Sequence, residues 1–424
     1  MSARPPRDRG AWSAEDAERY VLSLELFGMN FGLERMRRLM TALEHPQRRF
    51  GSIHVVGTNG KSSTTRMTAA ILERHGMRTG AYLSPHLSHF CERIRVGEAD
   101  IAPSAFAAAV QRAAHAAELV DTAARGPDRV TQFEVLTAAA YSELAARDVE
   151  VAVVEAGLGG RYDATNVIPS KVQILTSVGL EHTRWLGPTI ADIAREKLAV
   201  VQPGGVLVLG PGLHPDADAE ARAVAERSGA RIVRAPADPG VAVGPLGVFQ
   251  RRNFAVARAA AEAYLGTLDD AKVAAAAAQV QIPGRLQVVA REPLTLLDGA
   301  HNPEGIAALA ESLPEITGGR RTVAVVSILD DKDAAGMLAT LLPACDAMIV
   351  TSSQNPRALP PPTLASLTGQ LGGPPAEIVR DPRAALERAR TLAGPDGVVL
   401  ATGSIYLVAD LLRTSPSRLR ASIL

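Results

Sequence analysis

The chain has 424 residues, with 45 lysines and arginines balanced by 45 aspartates and glutamates, so its formal net charge is zero. Proteins that bind nucleic acid or membrane surfaces usually carry a basic excess, so this balance argues against both classes. No apolar run approaches the about 20 residues that cross a bilayer, and the first twelve residues lack the apolar core of a secretory signal. We therefore expect a cytoplasmic enzyme, long enough for two or three domains.

The N-terminal two thirds alternate short apolar runs with alanine-rich helical patterns. Apolar runs typical of buried strands occupy Ile53–Val56, Val151–Glu155, Val172–Thr176 and Val206–Leu209. Helical patterns occupy Thr65–Arg74, Ser104–Val120, Glu134–Arg147, Asn253–Leu265 and Ala271–Val280. Because strands that are apolar throughout and separated by helices are typical of parallel sheets covered on both faces, we predict an α/β domain.

The first predicted strand runs into a glycine-containing loop that ends in Gly60-Lys61-Ser62-Ser63. Glycines let backbone N–H groups approach phosphate oxygens, and the N-terminus of the following helix adds partial positive charge. A lysine at this point would reach the outer phosphates. The match to the GxxxxGK[ST] pattern is incomplete, because Val55 stands at the first glycine position. The loop therefore predicts a nucleotide site, with a tight strand-to-helix turn as the other interpretation.

Two further polar clusters follow predicted strands. Glu155 ends an apolar strand, at the edge where open α/β sheets bind ligands, and would there serve as a Mg²⁺ ligand or remain a solvated glutamate. The glycines that follow it are no dinucleotide fingerprint, since Tyr162 stands at the third glycine position. The second cluster contains His182 and Lys197. From the local sequence alone, His182 is interpreted as a structural histidine and Lys197 as a cation on the face of a helix.

The last third of the chain shows the same alternation more regularly. Strands are predicted at Leu294–Asp298, Thr322–Ser327, Ala347–Thr351, Glu377–Val379 and Val398–Ala401. Helices are predicted at Pro303–Leu313, Ala334–Leu342 and Pro382–Leu392. Proline and glycine bracket a short polar segment from Pro283 to Pro293, which is typical of a domain boundary. We expect a P-loop ATPase-type N-terminal domain over 1–289 and a smaller Rossmann-like, parallel-sheet C-terminal domain over 290–424.

Lysine is scarce in this chain. The 45 basic residues include only five lysines, namely Lys61, Lys171, Lys197, Lys272 and Lys332. Each is therefore a candidate for a task that arginine cannot perform, such as a compact point charge or a neutral amine. In the C-terminal domain, Asp298–Pro303 ends the first strand and opens a helix. Polar clusters at strand ends in both domains favour one site for ATP and a second substrate.

Short motifs follow one another in a fixed order between Tyr20 and Leu412. They are Gly57–Lys61, Leu83–Leu87, Glu92–Ile94, Thr131–Glu134, Glu155–Asn166, His182 with Leu186-Gly187, Glu196-Lys197, Gln250–Asn253, Pro283–Arg285, Asp298–Pro303 and Thr402–Tyr406. Each is weak alone, but the ordered set resembles the folylpolyglutamate synthase/dihydrofolate synthase family of the Mur ligase superfamily. The resemblance implies an ATP-dependent ligase that adds L-glutamate to a pterin-linked carboxylate, dihydropteroate and/or a folylpolyglutamate, through an acyl phosphate.

The same resemblance implies cofactors and residue roles. ATP would be bound with two Mg²⁺ ions by a monomer whose other partners are small molecules. Its ATP-binding residues would be Thr58, Asn59, Gly60, Lys61, Ser62, Ser63, Asn253, Arg285 and Asp298, and its metal ligands Ser84, Glu155 and His182. The pterin would meet Asn30, Phe31, Gly32, Leu33, Thr131, Gln132, Phe133, Tyr162, Asp163 and Ala164, and the incoming glutamate His301 and Ser404. Lys61, His182 and Lys197 are the catalytic candidates, and Lys197 matches a lysine that is carbamylated in this superfamily.

The chain departs from the family pattern at a few positions. Ser62 replaces the usual glycine, Glu181 the usual aspartate before the metal histidine, and Phe249 the usual histidine before Gln250. None of these changes removes a predicted metal ligand. Three alternatives stay open: another Mur-type amino-acid ligase, a P-loop phosphoryl transferase, and a homologue that only binds nucleotide. Mur-type ligases of nucleotide-sugar peptides carry an additional N-terminal domain, whereas 56 residues precede Gly57 here.

Overall fold

The computed structural model describes residues 10–25, 32–124 and 128–413, which form two compact units. Within the described chain, the first unit comprises residues up to 242 together with 252–280, and the second comprises 243–251 and 281–413. The units therefore divide at 280/281, ahead of the expected 289/290. The expected limit would cut strand Gln287–Arg291, which is hydrogen-bonded into the sheet of the second unit.

The first unit is built on a largely parallel sheet with strand order β4-β3-β2-β5-β1-β6-β7-β8. The strands are β1 (Gly51–Val56), β2 (Thr79–Tyr82), β3 (Ile94–Val96), β4 (Ala99–Asp100), β5 (Val151–Glu155), β6 (Val172–Leu175), β7 (Val206–Leu209) and β8 (Arg231–Arg234). Only the β2–β3 and β3–β4 pairings are antiparallel. The four strands that the sequence predicts, β5, β1, β6 and β7, all lie inside this sheet, where burial on both faces demands continuous apolar runs.

Helices cover this sheet, and small side chains let two of them approach closely. The helices are α1 (Ala14–Ser23), α2 (Glu34–Ala42), α3 (Lys61–Arg74), α4 (Pro103–Ala123), α5 (Gln132–Ala146), α6 (Thr183–Leu186), α7 (Ile190–Leu198), α8 (Pro215–Ser228), α9 (Val248–Leu265) and α10 (Asp270–Gln279). The α4 and α5 surfaces bury a series of alanines around Phe106 and Tyr141. In the described chain, no helix is both long enough and apolar enough to cross a membrane.

The second unit has a sheet with strand order β13-β12-β11-β14-β10-β9. Its strands are β9 (Gln287–Arg291), β10 (Leu294–Leu297), β11 (Thr322–Val326), β12 (Ala347–Val350), β13 (Ala376–Ile378) and β14 (Val398–Thr402), and its helices are α11 (Pro303–Thr317), α12 (Ala334–Leu341), α13 (Pro361–Gln370), α14 (Pro382–Ala393) and α15 (Ile405–Leu412). The sheet is parallel except for β9, which pairs antiparallel with β10. The prediction of two α/β domains is confirmed, with antiparallel edge strands that it did not include.

The register of the central strands brings three loops to one edge of the first sheet. Val55 of β1 pairs with Glu155 of β5, and Val56 of β1 pairs with Leu175 of β6. Strands β5, β1 and β6 therefore end at the same level. The loops that follow them begin at Ala156, Gly57 and Thr176, and they carry the predicted site residues Thr58–Gly60, Tyr162–Ala164 and His182.

Candidate active site

The loop between β1 and α3 is shaped by two glycines. Gly57 has φ 153° and Gly60 has φ 85°, and α3 begins directly at Lys61. A Cβ atom on Gly57 would collide with the Thr176 hydroxyl, and one on Gly60 would lie 2.5 Å from Asn253 Oδ1. Other residues would not fit at either point. The first-turn N–H groups of α3 therefore open onto a narrow backbone loop, which is the geometry that binds phosphate.

The segment that follows β6 holds this loop in place. The Thr58 N–H donates to Ser177 O at 2.9 Å, and the Asn59 N–H donates to Ser177 Oγ at 2.9 Å. The Thr176 hydroxyl donates to Asn59 O at 2.6 Å. Thr58 Oγ1 accepts the Gly179 N–H at 3.0 Å. Thr58 and Asn59 are thus fixed before any ligand binds, and this preorganisation reduces the entropic cost of binding a phosphate chain.

Two lysine ammonium groups converge on one carbonyl oxygen of the loop. Lys61 Nζ donates to Gly57 O and Thr58 O, both at 3.1 Å, and the buried Lys197 Nζ donates to Gly57 O at 2.9 Å. Burial, together with the charge of Lys61, lowers the pKa of Lys197 to about 7, although Glu181 and Asp163 act in the opposite direction. Near neutral pH, a substantial fraction of Lys197 is therefore the neutral amine. Lys61 and the first-turn N–H groups of α3 together give the loop positive charge suited to an anion.

A buried carboxylate lies at the end of β5, the strand next to β1. Glu155 is 1% exposed, and its oxygens accept the Ser62 hydroxyl at 2.8 Å and the Ser84 N–H at 3.1 Å. Among the described residues, no three histidine, cysteine, aspartate or glutamate side chains gather into a metal site. A carboxylate with nearby hydroxyls is nevertheless the donor set that fits Mg²⁺ or Mn²⁺, because these ions take their remaining ligands from water and substrate phosphates.

The predicted metal ligand His182 lies after β6, at the start of the short helix α6. Its backbone is left-handed, with φ 54°, and its side chain is partly exposed. His182 Nε2 lies 3.9 Å from Oε1 of the neighbouring Glu181. The contacts described above thus join Ser62, Ser84 and Glu155 directly. His182 belongs to the loop next to theirs at the same sheet edge.

The segment at the start of α5, predicted to meet the pterin, is fixed by hydrogen bonds of its own. Thr131 caps the helix, since its hydroxyl accepts the Glu134 N–H while Glu134 accepts the Thr131 N–H. Gln132 Nε2 donates to Val21 O at 3.0 Å. The Phe133 ring would lie 2.6 Å from a Cβ on Gly157, so it packs against the loop after β5. Of the three side chains, Phe133 lies nearest to the sheet edge that carries Glu155.

We expect Glu134→Gln to destabilise the protein by about 3 kcal/mol, because it leaves the charge of a largely buried arginine poorly compensated. Arg35 Nε lies 3.1 Å from both Glu134 oxygens, and Arg35 also pairs with Asp128. Urea unfolding followed by circular dichroism measures the effect. The matched change Glu34→Gln removes an exposed pair with Arg38 and should cost less than about 0.5 kcal/mol. Equal losses of unfolding free energy in Glu134→Gln and Glu34→Gln would contradict a stabilising role for the Arg35–Glu134 pair.

The other predicted pterin residues fall into three groups. In the loop after β5, Tyr162 is 52% exposed, whereas Asp163 and Ala164 are buried. Asp163 closes this loop on itself by accepting the Leu158 N–H at 2.8 Å and the Thr165 N–H at 3.0 Å. Gly32 and Leu33 lie just before α2 and are partly exposed. Asn30 and Phe31 lie outside the described residues.

In the second unit, four predicted site residues gather where the parallel neighbours β10 and β14 end. Asp298 is buried, and its two oxygens accept the Leu286 N–H and the Ala300 N–H, both at 2.8 Å. Burial raises the pKa of the Asp298 carboxyl, and the charge of Arg285 opposes this rise. The Arg285 guanidinium covers Gly299, so closely that a Cβ there would collide with it.

The two residues predicted to bind glutamate belong to the same corner of the second unit. His301 Nδ1 donates to Gly299 O at 2.8 Å, so this nitrogen carries a proton. Ser404 is buried and caps α15, with its Oγ accepting the Tyr406 N–H at 3.2 Å. Ser404 therefore fixes the backbone at the end of β14. The His301 ring is held by the hydrogen bond from its Nδ1 to Gly299 O.

Several residues that shape this site were not predicted from the sequence. Thr176 and Ser177, which hold the phosphate loop, were not singled out, although two hydroxyl residues at the end of a predicted strand are a readable signal. Ser62 was predicted to meet phosphate and was not linked to Glu155, its partner 93 positions away. The buried His54 of β1, which hydrogen-bonds Thr165, was also missed.

Comparison with known proteins agrees with this geometry. A family model described as Mur ligase, glutamate ligase domain, matches residues 284–405. The dihydrofolate synthase/folylpolyglutamate synthase of Mycobacterium tuberculosis is 37% identical over 393 residues, covering 82% of this chain and 80% of that protein. Escherichia coli FolC in complex with DHPP and ADP is 28% identical, with a TM-score of 0.83 over 95% of this chain and 97% of that one.

A further solved structure contains a divalent metal. It is the bifunctional folylpolyglutamate synthase/dihydrofolate synthase of Yersinia pestis complexed with AMPPNP and Mn ion, 28% identical, with a TM-score of 0.84 over 96% of this chain and 99% of that one. These matches span both units. The protein is an ATP-dependent ligase, and it belongs to the folylpolyglutamate synthase/dihydrofolate synthase family.

Proposed function

We propose that this ligase adds L-glutamate to a pterin-linked carboxylate, either dihydropteroate or a folylpolyglutamate. The observation that carries the proposal is the meeting of Lys61 and Lys197 at Gly57 O, beside the buried Glu155. That arrangement suits a metal-bound triphosphate placed next to an anionic acceptor. The Escherichia coli relative, solved with DHPP and ADP, supports the same pairing of ligands.

An activated acyl group is what such a reaction needs, because a carboxylate is a poor electrophile. In the proposed sequence, an acceptor carboxylate oxygen attacks the γ-phosphorus of ATP, and the bond to the β-phosphate oxygen breaks to release ADP. The glutamate amine then attacks the acyl carbon, phosphate leaves, and the amine loses a proton. Lys61 and the N–H groups of the loop offset the repulsion between the carboxylate and the triphosphate, and this repulsion is about 4 kcal/mol per charge pair at 4 Å.

We propose Mg²⁺ as the divalent ion, bound twice, with Ser84, Glu155 and His182 as its protein ligands. When bound, the ions neutralise phosphate charge and orient the γ-phosphate. Glu155 is already ordered by Ser62 and Ser84, so its oxygens need little rearrangement. The Mn ion with AMPPNP in the Yersinia pestis relative supports a divalent ion bound with nucleotide.

We also propose that Lys197 carries a carbamate in the active enzyme. A neutral amine reacts with CO₂ to give an anionic oxygen donor, and a pKa near 7 leaves much of the buried Lys197 neutral. An anion at this position would face Lys61 and the loop. It would also remove the repulsion between two ammonium groups that share one carbonyl oxygen.

The second unit is proposed to supply the remaining contacts. Arg285 and Asp298, together with Asn253 of the first unit, are the proposed ATP-binding residues beyond the phosphate loop. His301 and Ser404 are the proposed glutamate residues, which is consistent with the match to a glutamate ligase domain. The proposed acceptor surface consists of Asn30–Leu33, Thr131–Phe133 and Tyr162–Ala164. We further propose that the protein is a cytoplasmic monomer.

Product mass spectrometry tests this function. The protein is incubated with ATP and glutamate, and dihydropteroate or tetrahydrofolate is offered in separate reactions. We expect one glutamyl residue to be added to at least one acceptor, with ADP release that depends on glutamate. Release of ADP without glutamate and without amide product would favour the phosphoryl-transferase alternative.

A further inference from the structure

A chain of buried hydrogen bonds connects β1 with the loop that follows β5. His54 is the fourth residue of β1 and is fully buried, and its Nε2 lies 2.8 Å from Thr165 Oγ1. The Thr165 hydroxyl donates to Asp163 Oδ1, and the Thr165 N–H donates to the same oxygen at 3.0 Å. The side chains of His54, Thr165 and Asp163 are therefore linked in series, and no role proposed above involves all three.

The donors along this chain can be assigned from proton counts. Thr165 has one hydroxyl proton, and Asp163 Oδ1 accepts it, so the proton between His54 and Thr165 must come from His54 Nε2. Burial lowers the pKa of His54 to about 3, so the ring is neutral and Nδ1 carries a lone pair. Among the described residues, the buried Nδ1 has no hydrogen-bond partner. A side chain that leaves a buried acceptor unsatisfied is a poor choice for stability alone.

The far end of the chain shapes the loop from 157 to 165. The Asp163 carboxylate accepts hydrogen bonds from Leu158 and Thr165, so it is committed to the loop's own backbone. The same loop packs against the end of α7, because a Cβ on Gly160 would lie 2.6 Å from Lys197 O. It also presents the exposed Tyr162. The position of the proposed acceptor surface thus depends on Asp163.

We propose that His54 is a positioning residue for the acceptor substrate, which it never touches. Through Thr165 and Asp163, His54 fixes the 157–165 loop relative to the phosphate loop, which begins directly after β1 at Gly57. The inference rests on the proposed function, since the acceptor role of residues 162–164 belongs to that proposal. Loss of the His54 donor should therefore weaken acceptor binding and leave ATP binding largely intact.

Two pairs of variants test this role. His54→Leu and Thr165→Val break the chain, whereas His54→Gln and Thr165→Ser keep a donor and a hydroxyl. We expect the first pair to raise the KM for dihydropteroate at least about five-fold, with the KM for ATP changed less than about two-fold. The conservative pair should recover most of the loss. Calorimetric titration of dihydropteroate into the ATP-free protein should show the same weakening.

Thr68→Val is the matched control, because Thr68 is buried and, among the described residues, its hydroxyl hydrogen-bonds Thr64 O within α3, at 2.7 Å. It should leave both KM values unchanged. If wild-type protein shows no glutamate-dependent ADP release with either dihydropteroate or tetrahydrofolate, the proposed function fails. If wild type is active and the chain-breaking variants keep their dihydropteroate KM, or raise both KM values alike, the positioning role is overturned. Failure of both chain-breaking variants to fold would also overturn it, since the chain would then be structural.

Discussion

Lys61→Ala should reduce kcat/KM for ATP-dependent ligation by about 10³-fold while leaving the fold intact, because it removes the point charge that we propose binds the outer phosphates. Lys61 Nζ donates hydrogen bonds to the carbonyl oxygens of Gly57 and Thr58, so it is held inside the loop that would bind those phosphates. Steady-state ADP release and calorimetric titration of ATP measure the two effects. Lys61→Arg should restore little activity, because a planar guanidinium cannot occupy the place of a compact ammonium.

Lys272→Ala is the control for this change, since Lys272 is exposed near the start of α10. It should retain full activity. Both alanine variants should unfold within about 1 kcal/mol of the wild type, because neither truncation leaves a cavity. Near-normal turnover by Lys61→Ala would remove the loop from the mechanism.

The second large effect is expected at Lys197. Lys197→Ala should lose about 10²-fold or more in activity, and formate or acetate should restore part of it by supplying the missing anionic oxygens. Because the pKa of Lys197 lies near 7 instead of its usual 10.5, the neutral amine predominates above pH 7. Bicarbonate should therefore reactivate CO₂-depleted enzyme more completely at pH 8 than at pH 6. Intact-protein mass measured under native conditions should show the added CO₂.

Lys171→Arg is the matched substitution for Lys197→Arg. Lys171 is exposed, and its ammonium lies 5.7 Å from the centre of the Tyr264 ring, a contact that arginine can reproduce. Lys171→Arg should be fully active, and Lys197→Arg should be inactive because a guanidinium forms no carbamate. Full activity of Lys197→Arg, together with an unmodified mass, would contradict the carbamate.

The central strands and the main helices could be predicted because their patterns are local. Val151–Glu155 is apolar throughout, as its burial on both faces requires. The edge strands β3 and β4 were missed, since they are two or three residues long and partly exposed. The helix predicted to begin at Thr65 begins at Lys61 instead, so the loop lysine is itself the first helical residue.

The site was predictable as a set of residues and much less so as a set of contacts. Lys61, Glu155 and Lys197 were each singled out from strand ends, lysine scarcity and family resemblance. The bond from Lys197 to Gly57 joins residues 140 positions apart, and no periodicity in the sequence encodes such a pair. Thr131 and Glu134 have the spacing of a capping box, and in the structure they cap the N-terminus of α5.

The first compact unit is discontinuous along the chain, and this has a consequence for its biosynthesis. Its helix α10 packs on α3, and the Asp269 N–H donates to His75 Nε2 at 2.9 Å. These partners leave the ribosome far apart in time, because the chain is made from its N-terminus. The flank of α3 that α10 covers in the folded protein therefore lacks this partner until the residues of α10 have been synthesised.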